Sequence, residues 1–135
     1  MEHAPHPQDT DEVSELCRRP FVLALKDAMN VVNGKWKLAV VSTLLHGPRG
    51  FTDIERQLDG ITARMLSREL RELELNGVLV REASARSARF RRYALTSSGH
   101  RLKDVIFTMA NWGRDHRNAH AAGAPADSAP PVGPP

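Results

Sequence analysis

The sequence predicts a mainly α fold with a small β-hairpin (α+β), and three observations carry that expectation. Apolar residues recur at spacings of three and four in separate blocks between Phe21 and Trp112, the spacing of helix faces. Two runs rich in strand-favouring residues, Val78 to Ala83 and Arg89 to Leu95, flank a polar connection from Ser84 to Ala88. The chain has 135 residues, 41% of them hydrophobic, which suits one small domain with a modest core.

The bulk composition narrows the function classes. No apolar run approaches a membrane span, and no charged-then-apolar leader opens the chain, so a soluble cytoplasmic protein is expected. The single cysteine, Cys17, excludes an internal disulfide framework and a multi-cysteine zinc ribbon. Residues 1–33 carry a net charge of −3, whereas residues 34–118 carry +7. A basic domain attracts polyanions, nucleic acid first among them.

The elements follow in order. Residues 1–18 are polar, acidic and without period, and read as a flexible arm. A first helix is expected from about Arg19 to Val32, with Phe21, Leu25, Ala28, Met29 and Val32 on one face and Asn33-Gly34 after it. A second is expected from about Trp36 to His46, with Leu38, Val41, Leu44 and Leu45 inward, Trp36 in the core, and Gly47-Pro48 ending it. Arg49-Gly50-Phe51 is short and extended enough for an isolated edge strand. Thr52 and Glu55 form a capping-box pattern for a short third helix ending near Leu58. After Asp59-Gly60-Ile61, Thr62 is a suitable N-cap for a helix that Asn76-Gly77 stops. Thr96 then caps a last long helix from Ser97 to about His116, whose stripe is Leu102, Val105, Ile106, Met109 and Trp112. Residues 119–135, rich in Ala and Pro, read as a disordered tail, leaving 19–118 as the folded unit.

The segment Thr62 to Gly77 holds the chemistry. Leu66, Leu70 and Leu73 share one helix face, while Arg64, Ser67, Arg68 and Arg71 fall on the opposite one. A guanidinium fork can donate two hydrogen bonds to guanine or clamp a phosphate, and an α-helix fits the major groove. A solvated polar face is the alternative for such a helix on its own. Two helices joined by a tight glycine-containing turn, the second with polar residues outward, make a helix-turn-helix. The hairpin after it bears Arg86, Arg89, Arg91 and Arg92 and reads as a wing on the backbone or in the minor groove, although a charged edge strand also discourages aggregation. Lys35, beside a helix N-terminus, is placed to hold a phosphate. The first and last helices leave Phe21, Leu25 and Met29, and Val105, Met109 and Trp112, as stripes that the winged core cannot cover. A symmetric homodimer would bury them.

Four segments in order resemble the HxlR-type winged helix-turn-helix regulators of bacteria and archaea, across roughly residues 21–117. They are Asn33-Gly34-Lys35-Trp36; Gly47 to Ile54; Ile61 to Gly77, with Met65-Leu66-Ser67, Leu70-Arg71 and Leu73; and Tyr93 to Thr96 with Gly99, then Trp112-Gly113. The resemblance implies a winged helix-turn-helix with extra N- and C-terminal dimerisation helices. It also implies a transcriptional regulator, with a repressor expected, whose partners are double-stranded DNA carrying an inverted-repeat operator and a second copy of itself. Members often respond to electrophiles or oxidants through a cysteine just ahead of the first helix, followed by proline. That position falls here on Leu23-Ala24, and Cys17 lies six residues earlier, beside Arg18 and Arg19. The wing tip, Ser84 to Ala88, is also about one residue shorter than the family's and lacks its proline.

Other classes are less well matched. His116 and His120 have zinc-compatible spacing but no third ligand or His-Glu-x-x-His motif, and Gly47, Gly50 and Gly60 form no phosphate loop, so neither an enzyme, a metal site nor a cofactor is expected. A protein-interaction module on the same fold would lack outward arginines on the second helix. A metal- or ligand-responsive regulator, with a small-molecule or electrophile inducer, remains an open alternative.

Overall fold

The computed structural model describes residues 19–83 and 91–121. The order is α1 (Arg19–Val32), α2 (Lys37–Thr43), β1 (Arg49–Gly50), α3 (Phe51–Leu58), α4 (Ala63–Leu75), β2 (Leu79–Ala83), β3 (Arg91–Leu95), α5 (Ser97–His100) and α6 (Lys103–Ala121). The three strands form an antiparallel sheet ordered β1-β3-β2. This is the expected winged helix-turn-helix with a helix added at each end.

One core holds the winged unit together. Val40, Val41 and Leu44 of α2 meet Ile54 of α3, Leu66, Leu70 and Leu73 of α4, and Val78, Leu79 and Leu95 at the root of the hairpin. Burying a side chain of this size contributes roughly 1.5–3 kcal/mol, so the three α4 leucines alone fix which face of that helix turns inward. Trp36, expected in the core, is half-buried against its edge. Of the expected inward set, Val41 and Leu44 are buried and Leu38 and Leu45 only half-buried, while Lys37, Val40 and Thr43 are buried in addition.

Several boundaries differ from the expectation for local reasons. The second helix stops at Thr43 instead of His46. Ser42 and Thr43 donate their hydroxyls back to the carbonyls of Ala39 and Val40, and the chain then tightens to i→i−3 bonds through Leu44, Leu45 and Gly47. Arg49 closes that end by donating from Nε to the Thr43 carbonyl at 2.7 Å. The expected isolated strand is not isolated, because Arg49 and Gly50 pair with Tyr93 and Arg92. That pairing passes directly into α3 with extended Gly50 as N-cap, so Thr52 lies inside the first turn and the Thr52/Glu55 capping box does not form.

The last helix is two helices. Thr96 caps α5 by accepting from the Gly99 amide at 3.1 Å, and Arg101-Leu102 then turns the chain before α6. α6 continues to Ala121, beyond both the expected end at His116 and the expected domain limit at 118. Its stripe is divided. Leu102 and Ile106 pack on the core, whereas Val105, Met109 and Trp112 stay exposed.

Candidate nucleic-acid interface

The site is built on α4, and four contacts fix that helix. At its start, Thr62 is extended and its Oγ1 accepts from the Met65 amide at 3.1 Å. At its end, Gly77 takes φ +74°, the Val78 amide donates to the Leu73 carbonyl at 2.9 Å, and the Gly77 amide donates to Glu74 at 3.0 Å. This is a Schellman close, with Val78 and Leu73 both buried as its apolar pair. On the scaffold side, Lys37 Nζ of α2 lies 2.6 Å from Glu69 Oε2 and 2.5 Å from Glu72 Oε2. On the sheet side, Arg81 of β2 donates from Nε to Glu74 Oε2 at 3.2 Å.

These contacts separate the charges of a helix that is neutral by count. α4 carries Arg64, Arg68 and Arg71 against Glu69, Glu72 and Glu74. Each glutamate has a cation of another element as partner, and Arg64, Ser67, Arg68 and Arg71 are left exposed on the side away from the leucines. Burial of Lys37 works against its charge, but its hydrogen bonds to Glu69 and Glu72, and their charges, outweigh this and raise its pKa. The hydrogen bond from Lys37, then its charge, lowers the pKa of Glu72. The ionic forms of Lys37 and Glu72 are therefore the favoured ones. The outward ridge can offer guanidinium forks to base edges and phosphates.

The wing stands beside that ridge. Glu82 faces Arg92 across the β2–β3 register, with Arg92 Nη2 and Glu82 Oε1 3.6 Å apart, and Arg91 is exposed. A groove between α4 and the sheet is lined by Ser67, Leu70, Arg71, Glu74, Leu75, Arg81 and Tyr93. The model of the HxlR-like helix-turn-helix family matches residues 31–121. The chain belongs to the HxlR-like helix-turn-helix family. The match spans both ends of the site, from just before α2 to the end of α6.

An HTH-type transcriptional regulator of Methanothermobacter thermautotrophicus is 35% identical over 94 residues, covering 70% of this chain and 72% of its own. Among solved structures, the redox regulator HypR in its reduced form superposes with a TM-score of 0.65 at 30% identity, covering 73% of this chain and 98% of HypR. Quinone-bound YodB from Bacillus subtilis does so with a TM-score of 0.58 at 26% identity, over 68% and 97% of the two chains. A winged helix-turn-helix of this family, with regulators as relatives, is a DNA-binding transcriptional regulator.

Within this HxlR-like chain the expected site residues divide into groups. Thr62, Arg64, Ser67, Arg68 and Arg71 come together on α4. Lys35 is exposed, with its ammonium 5.0 Å from the centre of the Trp36 ring. Arg91 lies on the wing, whereas Arg86, Arg89 and Cys17 lie outside the described residues. Phe21, Leu25 and Met29 on α1, and Val105, Met109 and Trp112 on α6, are all exposed. His116 and His120 lie on α6 with their rings tilted by 48° and their centres 4.3 Å apart, and no group of three or more potential metal ligands exists among the described residues. No described helix is long and apolar enough to cross a membrane.

Sequence reasoning missed Lys37, Arg81 and Tyr93. The signal for Lys37 was present: Lys37, Val40, Val41 and Leu44 have the i, i+3, i+4, i+7 spacing of one buried face, so a lysine stood at an inward position. Glu69 and Glu72, which directly follow Arg68 and Arg71 in the sequence, are its partners.

Proposed function

We propose that this chain is a homodimeric, sequence-specific DNA-binding repressor. α4 enters the major groove, and the wing from Val78 to Leu95 lies on the backbone or in the minor groove. The observation that carries this reading is the exposed Arg64, Ser67, Arg68 and Arg71 ridge on a helix whose glutamates each have a cation partner on α2 or β2. Lys35, Arg86, Arg89 and Arg91 serve as phosphate contacts, which position the protein without reading sequence. The folded unit runs from residue 19 to Ala121, with its first and last helices paired across the dimer. The operator is an inverted repeat in a bacterial or archaeal cytoplasm.

The test is binding to a selected genomic duplex and to a random one over a series of salt concentrations. Each phosphate neutralised contributes about −0.9 to the slope of log affinity against log salt. Arg64→Ala or Arg68→Ala lowers specific affinity by roughly 1–3 kcal/mol where the residue reads a base, and Arg91→Ala weakens both duplexes alike. Wild-type curves for all three variants would remove the assignment.

HypR and YodB are named for redox regulation and a bound quinone. Here the family's cysteine position is Leu23, and α1 already spans it. Cys17→Ser is therefore expected to bind DNA, and to respond to a quinone or diamide, as wild type does. Release of DNA from wild type alone would make Cys17 the switch and would identify an electrophile as inducer.

A further inference from the structure

The α4 arginines do not stand on an inert support. Lys37 and Glu69 retain only 4% and 5% of their exposure, so an ammonium and a carboxylate are both removed from water beneath the DNA-facing side. A buried charge persists only when it is paired and its hydrogen bonds are made. The pairing here extends outward. Glu69 holds Lys37 with Oε2, while its other oxygen, Oε1, lies 3.6 Å from Arg68 Nη2. Glu72 takes the other side of the same ammonium. Two cations and two carboxylates thus form one neutral chain from α2 through α4 to the exposed ridge. At its outer end Arg68 is 69% exposed, and at its inner end Lys37 is sealed in the core.

We propose that Lys37 is a positioning residue for DNA recognition: through Glu69 it sets the direction of Arg68, and through Glu69 and Glu72 it holds two carboxylates away from the DNA. The inference rests on α4 being the reading helix. Lys37 touches no base or phosphate itself. A side chain that merely stabilised the fold would need a compatible volume at this place. Lys37 instead engages two of the three glutamates of a net-neutral helix, as Arg81 engages the third, and so lets that helix present a cationic face. Its hydrogen bonds to both glutamates also resist rotation of α4 about its own axis, which would exchange arginines for carboxylates at the DNA. The raised pKa of Lys37 and lowered pKa of Glu72 agree with this arrangement.

The experiment compares wild type, Arg68→Ala, Lys37→Met, Glu69→Gln and the triple variant Lys37→Met/Glu69→Gln/Glu72→Gln. Unfolding stability and affinity for the selected and random duplexes are measured for each. Lys37→Met leaves two carboxylates without their cation, so lower stability and weaker binding to both duplexes are expected. The triple variant removes every uncompensated charge. It should recover stability and random-duplex affinity, yet keep a specific-to-random ratio about tenfold below wild type, because Arg68 has lost its carboxylate anchor. Glu69→Gln preserves the shape beside Lys37 and should lower the same ratio; it decides the question if the variants at Lys37 do not fold. Recovery of the full ratio in the triple variant, or an unchanged ratio in Glu69→Gln, would make Lys37 a stabilising residue only and overturn the proposal. Arg68→Ala with an undiminished ratio would instead overturn the reading of the helix on which the proposal rests.

Discussion

Lys37 and Glu72 link stability to pH in opposite directions. The Glu72 pKa is lowered in the folded chain, so its contribution is complete above the unfolded value of about 4.5 and is lost as pH falls through the lower folded one. The Lys37 pKa is raised, so its contribution is complete below 10.5 and is lost as pH rises through the higher folded value. Unfolding by urea from about pH 3 to pH 7 should therefore show wild type and Glu72→Gln converging as the pH drops below the glutamate range. A constant gap across that range would show that Glu72 does not titrate against Lys37. Half of Glu72 is in contact with water, so the effect is screened and is best read as a direction.

At the scale of the element, the C-terminal end of α4 and the exit of the wing meet at one point. The Thr96 hydroxyl lies 2.6 Å from the Gly77 carbonyl and 3.0 Å from that of Val78, and accepts from the Gly99 amide. The Thr96 amide also donates to Val78 at 3.0 Å. Gly99 permits this approach, since a Cβ there would sit 2.1 Å from the Val78 carbonyl oxygen. Gly99→Ala forces α5 away from the close of α4 and should cost about 1–3 kcal/mol or more in chemical denaturation, because the neighbour is backbone and cannot rotate aside. Stability equal to wild type would show that α5 shifts freely.

These elements also show how much the sequence disclosed. The boundaries of α4 were legible because Thr62 and Asn76-Gly77 act on their own neighbours, and a cap depends on few distant atoms. The failed capping box at Thr52 has the opposite cause: pairing of Gly50 with Arg92 across the sheet starts α3 two residues early, and no local pattern records that pairing. The break at Arg101-Leu102 follows from the seat of α5 on Val78, again a distant contact. The arginine ridge was visible from spacing alone. Its buried support was legible only in part: the spacing of Lys37 with Val40, Val41 and Leu44 marks an inward lysine, but Glu69 and Glu72, which receive it, lie on another helix and are brought near only by the fold.

Among the described residues, the apolar face of α1 and the outer stripe of α6 stay largely uncovered. α1 has no buried residue, and Phe21, Val22, Leu23, Leu25 and Met29 are 38–54% exposed; on α6, Val105, Phe107, Met109 and Trp112 are 45–67% exposed. Apolar helix faces of this extent mark an interaction surface, and a second copy offers the same faces in return. Covering them in a two-fold dimer would place two copies of α4 on one side of the assembly, with half-sites one turn or about 34–36 Å apart. Met29→Glu and Met109→Glu make the decisive variants, because both side chains are more than half exposed and the charge costs a single protomer little. Each should leave the winged unit folded, lower the sedimenting mass to that of one chain at micromolar concentration, and reduce affinity for the full inverted repeat far more than for one half-site. Dimeric sedimentation of both variants with unchanged operator affinity would place the dimer contact on another face.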